Sequence, residues 1–361
     1  MNIGYSYWGF LGDYKLGPDG KELSTPDGNA FYSWCIIKKL QELGHSVYLI
    51  MPDRDVNGYI LMGRKLFDSW LKDERASAYE NTLKCENIKN LDFIIAEWRF
   101  KIEGRNFGPD ATQPDYYIQD KMLKEAKKNN IPVIVFDLDY KLTVDDINEY
   151  GIQSIIELGD KWQGKLCKRV EIPFDFRHIE YFKPSMKTSS TVYVGNRYER
   201  DASVDKYLAK LRNCTVYGNW EEAGRNSSSR WPNIKFCDRI PARQMRSAYE
   251  NKTTTVLLAK DGYYRQGFMT ARILEAIFYG VVPLFPEEFG EEVIKKYAGE
   301  CALELAVSDY LDVLAVTENF TAEQEYKLEV IEYLREHLKF MDVSYFVDTV
   351  LSIYSEYVKG Q

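Results

Sequence analysis

Short apolar runs alternate with helix-period segments from one end of the chain to the other, and this rhythm limits the fold more than any other feature. Residues 2–8 are apolar, 29–43 have helical spacing stopped by Gly44, and 46–51 are apolar again, which makes one β-α-β unit. The pattern recurs with an apolar run at 91–96, a helix over 116–128 ended by Asn129-Asn130, and further runs at 131–136 and 153–158. Consecutive buried strands joined by helices predict a parallel sheet with right-handed crossovers. The rhythm breaks over 172–190, which ends in a small polar stretch. A first domain is therefore expected over 1–175, a linker over 176–190 and a second domain over 191–342. In the second domain the strands are predicted at 191–194, 214–217, 234–236, 253–258 and 281–285, with helices reaching Arg212 and covering 242–250 and 268–279. The tail from Ser308 reads as helical and acidic, and its last piece, 343–361, is expected to pack back on the first domain. Two doubly wound α/β domains in tandem place an interdomain cleft at the carboxyl ends of both sheets.

Composition narrows the function. The chain has 361 residues, more than one compact core usually takes, and its 45% apolar and 28% charged shares exclude disorder as the main state. Aromatic residues reach 14%, and such rings serve either as core or as platforms for bases and sugars. A net charge of −8 argues against a protein that binds nucleic acid over its whole surface. The distribution is uneven: residues 191–275 carry +6, 276–361 carry −11, and the first 190 carry −3. The basic middle is rich in Arg, which suits bidentate phosphate recognition and equally suits a solvated face. Cys35, Cys85, Cys167, Cys214, Cys237 and Cys301 are scattered without a CxxC pair, so neither a zinc site nor a disulfide framework is expected. His45, His178 and His337 have no partner at ligand spacing and read as structural. With no leader pattern and no membrane-length apolar run, the chain reads as cytosolic.

Four constellations can carry chemistry. The run Lys260-Asp261-Gly262-Tyr263-Tyr264-Arg265-Gln266-Gly267 through Glu275 links a strand end to a helix start, where backbone N–H groups attract phosphate. Arg272 and Glu275 lie three apart and share a helix face, one able to pair a diphosphate and the other to accept ribose hydroxyls; a plain ion pair is the competing reading. Gly195 with Arg197 and Arg200 forms a turn directly after the second domain's first strand. Gly218 with Asn219, and Ile240 with Arg239 and Pro241, stand at later strand ends, where backbone and an apolar side chain can frame a base; structural turns explain them equally well. In the first domain Asp137 and Asp139 stand at a strand end, and either is a candidate general base, a helix cap or turn being the other reading. An early loop ending in Asp27-Gly28-Asn29 is a candidate approach to sugar or phosphate. No P-loop, nucleophile elbow or Ser/His/Asp order is present.

Taken in order, 192–195 with Arg200, 216–219, 231–236, 239–241 and 261–275 resemble the nucleotide-sugar glycosyltransferases with two Rossmann-like domains, the GT-B architecture, and among them the DNA β-glucosyltransferases of T-even phages. The resemblance covers roughly residues 190–290 and is faint in the first domain. It implies that Arg200, Arg272 and Arg197 hold the diphosphate, Glu275 the ribose and Ile240 the uracil edge, while Asp261 and Tyr264 line the donor pocket with Gly195 and Gly218. It also implies that Asp139, in Phe-Asp-Leu-Asp-Tyr-Lys-Leu, is the catalytic aspartate; apart from the resemblance, Asn29, Arg99, Arg105 and Asp137 are expected on the acceptor side, Arg99 and Arg105 as a basic loop for the phosphates that flank the base. The segment around Arg99 and Arg105 has no counterpart in that family.

The expected protein is a monomeric transferase moving a hexose from a UDP-sugar, foremost UDP-glucose, to a hydroxymethylated pyrimidine in double-stranded DNA, with inversion. A divalent cation is expected only as a stimulant, with no protein metal site, and no membrane partner is expected. If the gene is a phage's, the compartment is the infected host's cytosol. The alternatives are a glycan, protein or small-molecule acceptor, which the acidic pI near 5.3 favours, and a non-catalytic binding protein of the same fold.

Overall fold

The computed structural model describes residues 1–6, 28–53, 58–62, 83–84, 88–98, 115–138, 140–159, 161–162, 164, 167–176, 189–221, 226–240 and 245–360. These fall into two compact units, one drawn from residues up to Pro173 together with the C-terminal 343–360, the other from 174–342.

The first unit is built on β1 (Asn2–Ser6), β2 (Ser46–Asp53), β3 (Gly58–Met62), β4 (Leu83–Lys84), β5 (Phe93–Trp98), β6 (Val133–Asp137), β7 (Ser154–Glu157) and β8 (Cys167–Arg169), in the order β4-β3-β2-β1-β5-β6-β7-β8. Strands β1, β2 and β5 to β8 run parallel, while β3 and β4 are antiparallel additions at one edge. The sheet is thus mixed where the sequence rhythm predicted a purely parallel one. β3 follows β2 without an intervening helix, so alternation gave no sign of it. β8, Cys-Lys-Arg, is an exposed edge with no apolar pattern.

Helices Gly28–Glu42, Asp115–Lys128 and Val144–Tyr150 supply the crossovers. The last is delimited by local chemistry: Thr143 and Asp146 form a reciprocal capping box, and Gly151 closes the helix at φ +62. Buried Ile94, Val133, Val135, Met122 and Leu123 meet in the core between sheet and helices. The C-terminal helix Val343–Gly360 belongs to this unit and buries Val343, Phe346, Val347, Val350 and Ile353, a stripe of helical period. Its Phe346 lies 4.9 Å from Phe136, and Tyr354 stacks on Phe93 at 4.7 Å.

The second unit has six parallel strands, β9 (Thr191–Val194), β10 (Cys214–Tyr217), β11 (Ile234–Cys237), β12 (Thr254–Val256), β13 (Val282–Pro286) and β14 (Ala306–Val307), in the order β11-β10-β9-β12-β13-β14. That is the 3-2-1-4-5-6 order of a dinucleotide-type sheet, and it reverses direction between β9 and β12. Ligands of open α/β sheets bind outside the carboxyl ends of the strands at that reversal.

Two helices in this unit differ from the sequence reading. The one after β9 is Asp201–Tyr207 and stops short of Arg212, and the predicted helix from Phe268 begins only at Arg272. Residues Asp261–Gln266 form their own short helix, which Gly267 terminates in the left-handed region at φ +61 with its N–H on the Tyr263 and Tyr264 carbonyls. An apolar run alone does not reveal such a stop, because Phe268, Met269 and Ala271 are buried without being helical.

Candidate functional site

The reversal between β9 and β12 gathers several of the singled-out residues. β9 ends at Val194, and Arg272, first residue of helix Arg272–Phe278, reaches across to it: its Nε donates to the Val194 carbonyl, and Nη1 donates to Thr270 Oγ1 at 3.3 Å. The guanidinium lies over the Tyr193 ring, 5.5 Å from its centroid. The side-chain ends of Arg272 and Tyr193 close on Gly195: a Cβ there would stand 2.6 Å from Arg272 Nη2 and 2.6 Å from the Tyr193 hydroxyl, so any larger residue would displace them. The Gly195 carbonyl in turn accepts from Trp220 Nε1 at 2.6 Å and abuts Gly218, whose φ of +141 and lack of room exclude a side chain.

One turn beyond Arg272, Glu275 is half-buried and accepts from the Tyr249 hydroxyl at 3.4 Å. Burial pushes its carboxyl above the ordinary range, and the Arg272 charge with the Tyr249 hydrogen bond opposes that shift. Ile240 packs on the apolar cluster of Val192, Val194, Ala248, Tyr249 and Ala276 beneath. Gly195, Gly218, Arg272, Glu275 and Ile240 are thus linked through shared neighbours from β9, β10 and the helix after β12.

The other residues expected at the donor are placed differently. Arg200 is buried and donates to the carbonyls of Tyr198 at 2.7 Å, Asn196 at 3.2 Å and Leu258 at 3.5 Å. Arg197 pairs bidentately with Asp201 at 2.8 and 2.6 Å, donates to Ser227 Oγ at 3.1 Å and stacks on Trp231. Both guanidinia are spent on shaping the turn after β9. Tyr264 is a core side chain whose hydroxyl accepts the Ala259 N–H at 3.0 Å and whose ring meets Phe289 edge-on, and burial pushes its phenol up to about 12. Asp261 is exposed at the start of its short helix.

In the first unit Asp137 ends β6 with no exposed surface. It accepts from the Lys141 N–H at 2.9 Å, the Leu142 N–H at 3.3 Å and Trp162 Nε1 at 3.1 Å, and Lys161 Nζ stands 3.7 Å away. Glu157, its neighbour in register on β7, is buried too and accepts from the N–H groups of Trp162 at 2.8 Å and Lys161 at 3.2 Å. Burial raises both carboxyls. Asp137 is the last residue of β6 and ties down the backbone at Lys141 and Leu142. Asp139, Arg99 and Arg105 lie outside the described residues, as does the side chain of Asn29 on helix Gly28–Glu42. Among the described residues no group of three or more His, Cys, Asp or Glu is arranged to hold a metal ion, and no helix is long and apolar enough to cross a membrane.

The sequence held Tyr193 and Trp220 inside its turn motifs without giving either a role, and it passed over Tyr249; packing sets Tyr193 beneath Arg272, Trp220 on the Gly195 carbonyl and Tyr249 on Glu275.

No protein-family profile matches the chain, and no curated protein matches it. Solved structures do. Over 99% of both chains, and at 13% identity, it superposes on T4 phage BGT in complex with UDP and Mn2+ with a TM-score of 0.61. The chain has the GT-B fold. A crystal structure described as that of the DNA modifying enzyme β-glucosyltransferase gives a TM-score of 0.60 at 13% identity, covering 98% of this chain and 99% of that one. A Thermobaculum terrenum O-GlcNAc transferase gives 0.51 at 12% identity over 99% of this chain and 68% of its own. The GT-B likeness spans both units and the C-terminal helix, well beyond the residues 190–290 on which the sequence resemblance rests.

Proposed function

We propose that this chain is a glycosyltransferase that moves a hexose from a UDP-sugar, UDP-glucose foremost, to the hydroxyl of a hydroxymethylated pyrimidine in DNA. The observation that carries the donor half is the Arg272–Glu275 face set against Gly195 at the strand-order reversal of the second unit. In this reading the Arg272 guanidinium meets the diphosphate, Glu275 accepts the ribose hydroxyls, Ile240 covers the uracil, and the bare backbone at Gly195 and Gly218 admits the ligand closely. In the first unit Asp139 takes the proton of the acceptor hydroxyl while its oxygen attacks the anomeric carbon. The bond to UDP breaks with its electron pair on the departing diphosphate, and a single displacement inverts the anomeric centre. Asp137, by holding the Lys141 and Leu142 N–H groups, sets the loop that carries Asp139.

Support for DNA as acceptor comes from the +6 charge over 191–275 and from the likeness to a β-glucosyltransferase described as DNA-modifying. Such a base must leave the stack to expose its hydroxymethyl group. The deciding experiment incubates the enzyme with a panel of UDP-sugars and duplexes carrying hydroxymethylcytosine, hydroxymethyluracil or neither, then digests to nucleosides for mass spectrometry. One hexose mass on a hydroxymethylated base alone is expected, lost in Asp139→Asn with UDP affinity unchanged. Arg272→Ala should weaken UDP more than uridine, and Glu275→Ala should weaken both. Transfer to a glycan, protein or small molecule and to no duplex, the outcome the acidic pI near 5.3 favours, would replace the DNA reading. UDP binding with no turnover on any acceptor would leave a binding protein.

A further inference from the structure

Tyr193, on the inner strand β9, has no exposed surface, and among the described residues its hydroxyl has no hydrogen-bond partner. A hydroxyl that gives up water without a replacement is costly, so nearly all such buried groups are paired. The ring is held in place: the Arg272 guanidinium lies over it at 5.5 Å from the centroid, and Trp220 stands perpendicular to it at 6.1 Å. The acceptors around this strand end are already engaged. The Val194 carbonyl accepts from Arg272 Nε, the Gly195 carbonyl from Trp220 Nε1 at 2.6 Å, and Thr270 Oγ1 from Arg272 Nη1 at 3.3 Å.

The hydroxyl points to the place where a ligand is expected. It and Arg272 Nη2 each stand 2.6 Å from the point that a Cβ on Gly195 would occupy, so the two converge on bare backbone just past the end of β9. Gly195 and Arg272 are both partly exposed, and the hydroxyl therefore lies beneath a partly open surface at the strand-order reversal, where open α/β sheets take their ligands. What the hydroxyl lacks is an acceptor, and a phosphate oxygen beside a guanidinium supplies one.

We infer that the Tyr193 hydroxyl binds the donor, giving a hydrogen bond to a phosphate oxygen of the nucleotide beside Gly195. This rests on the UDP-sugar reading above. Pairing with the phosphate draws the guanidinium, the far end of a flexible side chain, toward the ligand, and the hydroxyl beneath it gains the partner that the free protein does not provide. A hydrogen bond to an anion is stronger than one between neutral groups, so the oxygen of Tyr193 serves affinity for the diphosphate and not the stability of the free protein.

Tyr193→Phe removes that oxygen alone, and titration calorimetry with UDP and uridine on the full chain, joined to urea unfolding of the free protein, reads both sides. UDP should bind about tenfold more weakly, the size of one charge-assisted contact. Uridine should bind as in wild type, and the urea midpoint of the free variant should equal or exceed that of wild type. Tyr207→Phe is the control in the same unit: its hydroxyl donates to Glu288, so its midpoint should fall while UDP affinity holds. UDP affinity unchanged in Tyr193→Phe overturns the inference and leaves the donor reading standing. A lower midpoint for free Tyr193→Phe overturns it by showing a partner within the fold, and so does equal weakening of UDP and uridine. A wild-type protein that binds neither UDP nor uridine overturns both.

Discussion

Lys327 has no exposed surface, and its ammonium donates to the Lys252 carbonyl at 3.2 Å. Burial pushes its pKa down to about 8, whereas an unfolded lysine titrates near 10.4. Between those values the unfolded chain holds a proton that the folded one has released, so stability rises with pH across that window. Below pH 8 the folded state carries the full cost of a buried ammonium, about 3 kcal/mol for a shift of this size. Lys327→Met should therefore stabilise the protein most below pH 8, and its advantage should vanish toward pH 10.5. Urea unfolding of both proteins across that range reads the difference directly. Arg200 and Asp137 teach the same lesson as Lys327. The sequence names a charged residue, and only its neighbours decide whether the charge faces a ligand or, as at Arg200, three carbonyls of the chain itself.

Among the elements, the short helix Asp261–Gln266 and its stop at Gly267 decide where Arg272 stands. Gly267 has φ +61, and a Cβ on it would come within 2.9 Å of Val293 Cγ2. Gly267→Ala should cost about 1–2 kcal/mol from the left-handed strain and the close contact, with weakened UDP binding because the Arg272 helix shifts. Gly262, inside the same helix, has ordinary φ and open space around its Cα. Gly262→Ala should instead stabilise by about 0.5–1 kcal/mol. Chemical denaturation of the pair separates backbone strain from helix propensity, and a matching sign for both substitutions would refute the account. At this scale the sequence was legible where strands were buried on both faces: β9 and β10 lie at the predicted residues, since Thr-Val-Tyr-Val and Cys-Thr-Val-Tyr are nearly all buried. It was silent on β3, β4 and β8, edge pieces whose pairing is settled by the neighbouring strand and not by their own pattern.

For the whole molecule, the C-terminal helix is the element whose sequence position says least about its place. It follows the second unit in the chain yet packs in the first, with Phe346 on Phe136 and Tyr354 on Phe93. Phe346→Ala should cost about 3–5 kcal/mol, the usual range for emptying a buried aromatic site. Hydrogen exchange should show the loss in β5, β6 and β7, with β9 to β14 protected as before. Equal loss in both units would mean that the chain unfolds as one cooperative body.

The alternation of strand and helix, the break near residue 173 and the pairing of Arg272 with Glu275 on one helix face were fixed by local sequence, because burial period and helical spacing are properties of neighbouring residues. The order β11-β10-β9-β12-β13-β14, the approach of Arg272 to Gly195 and the inward turn of Arg200 were decided by the tertiary structure. The physical reason is that a charged side chain goes to whichever carbonyl, carboxylate or ring face the packed strands bring within reach, and for Arg272 that carbonyl lies 78 positions away along the chain.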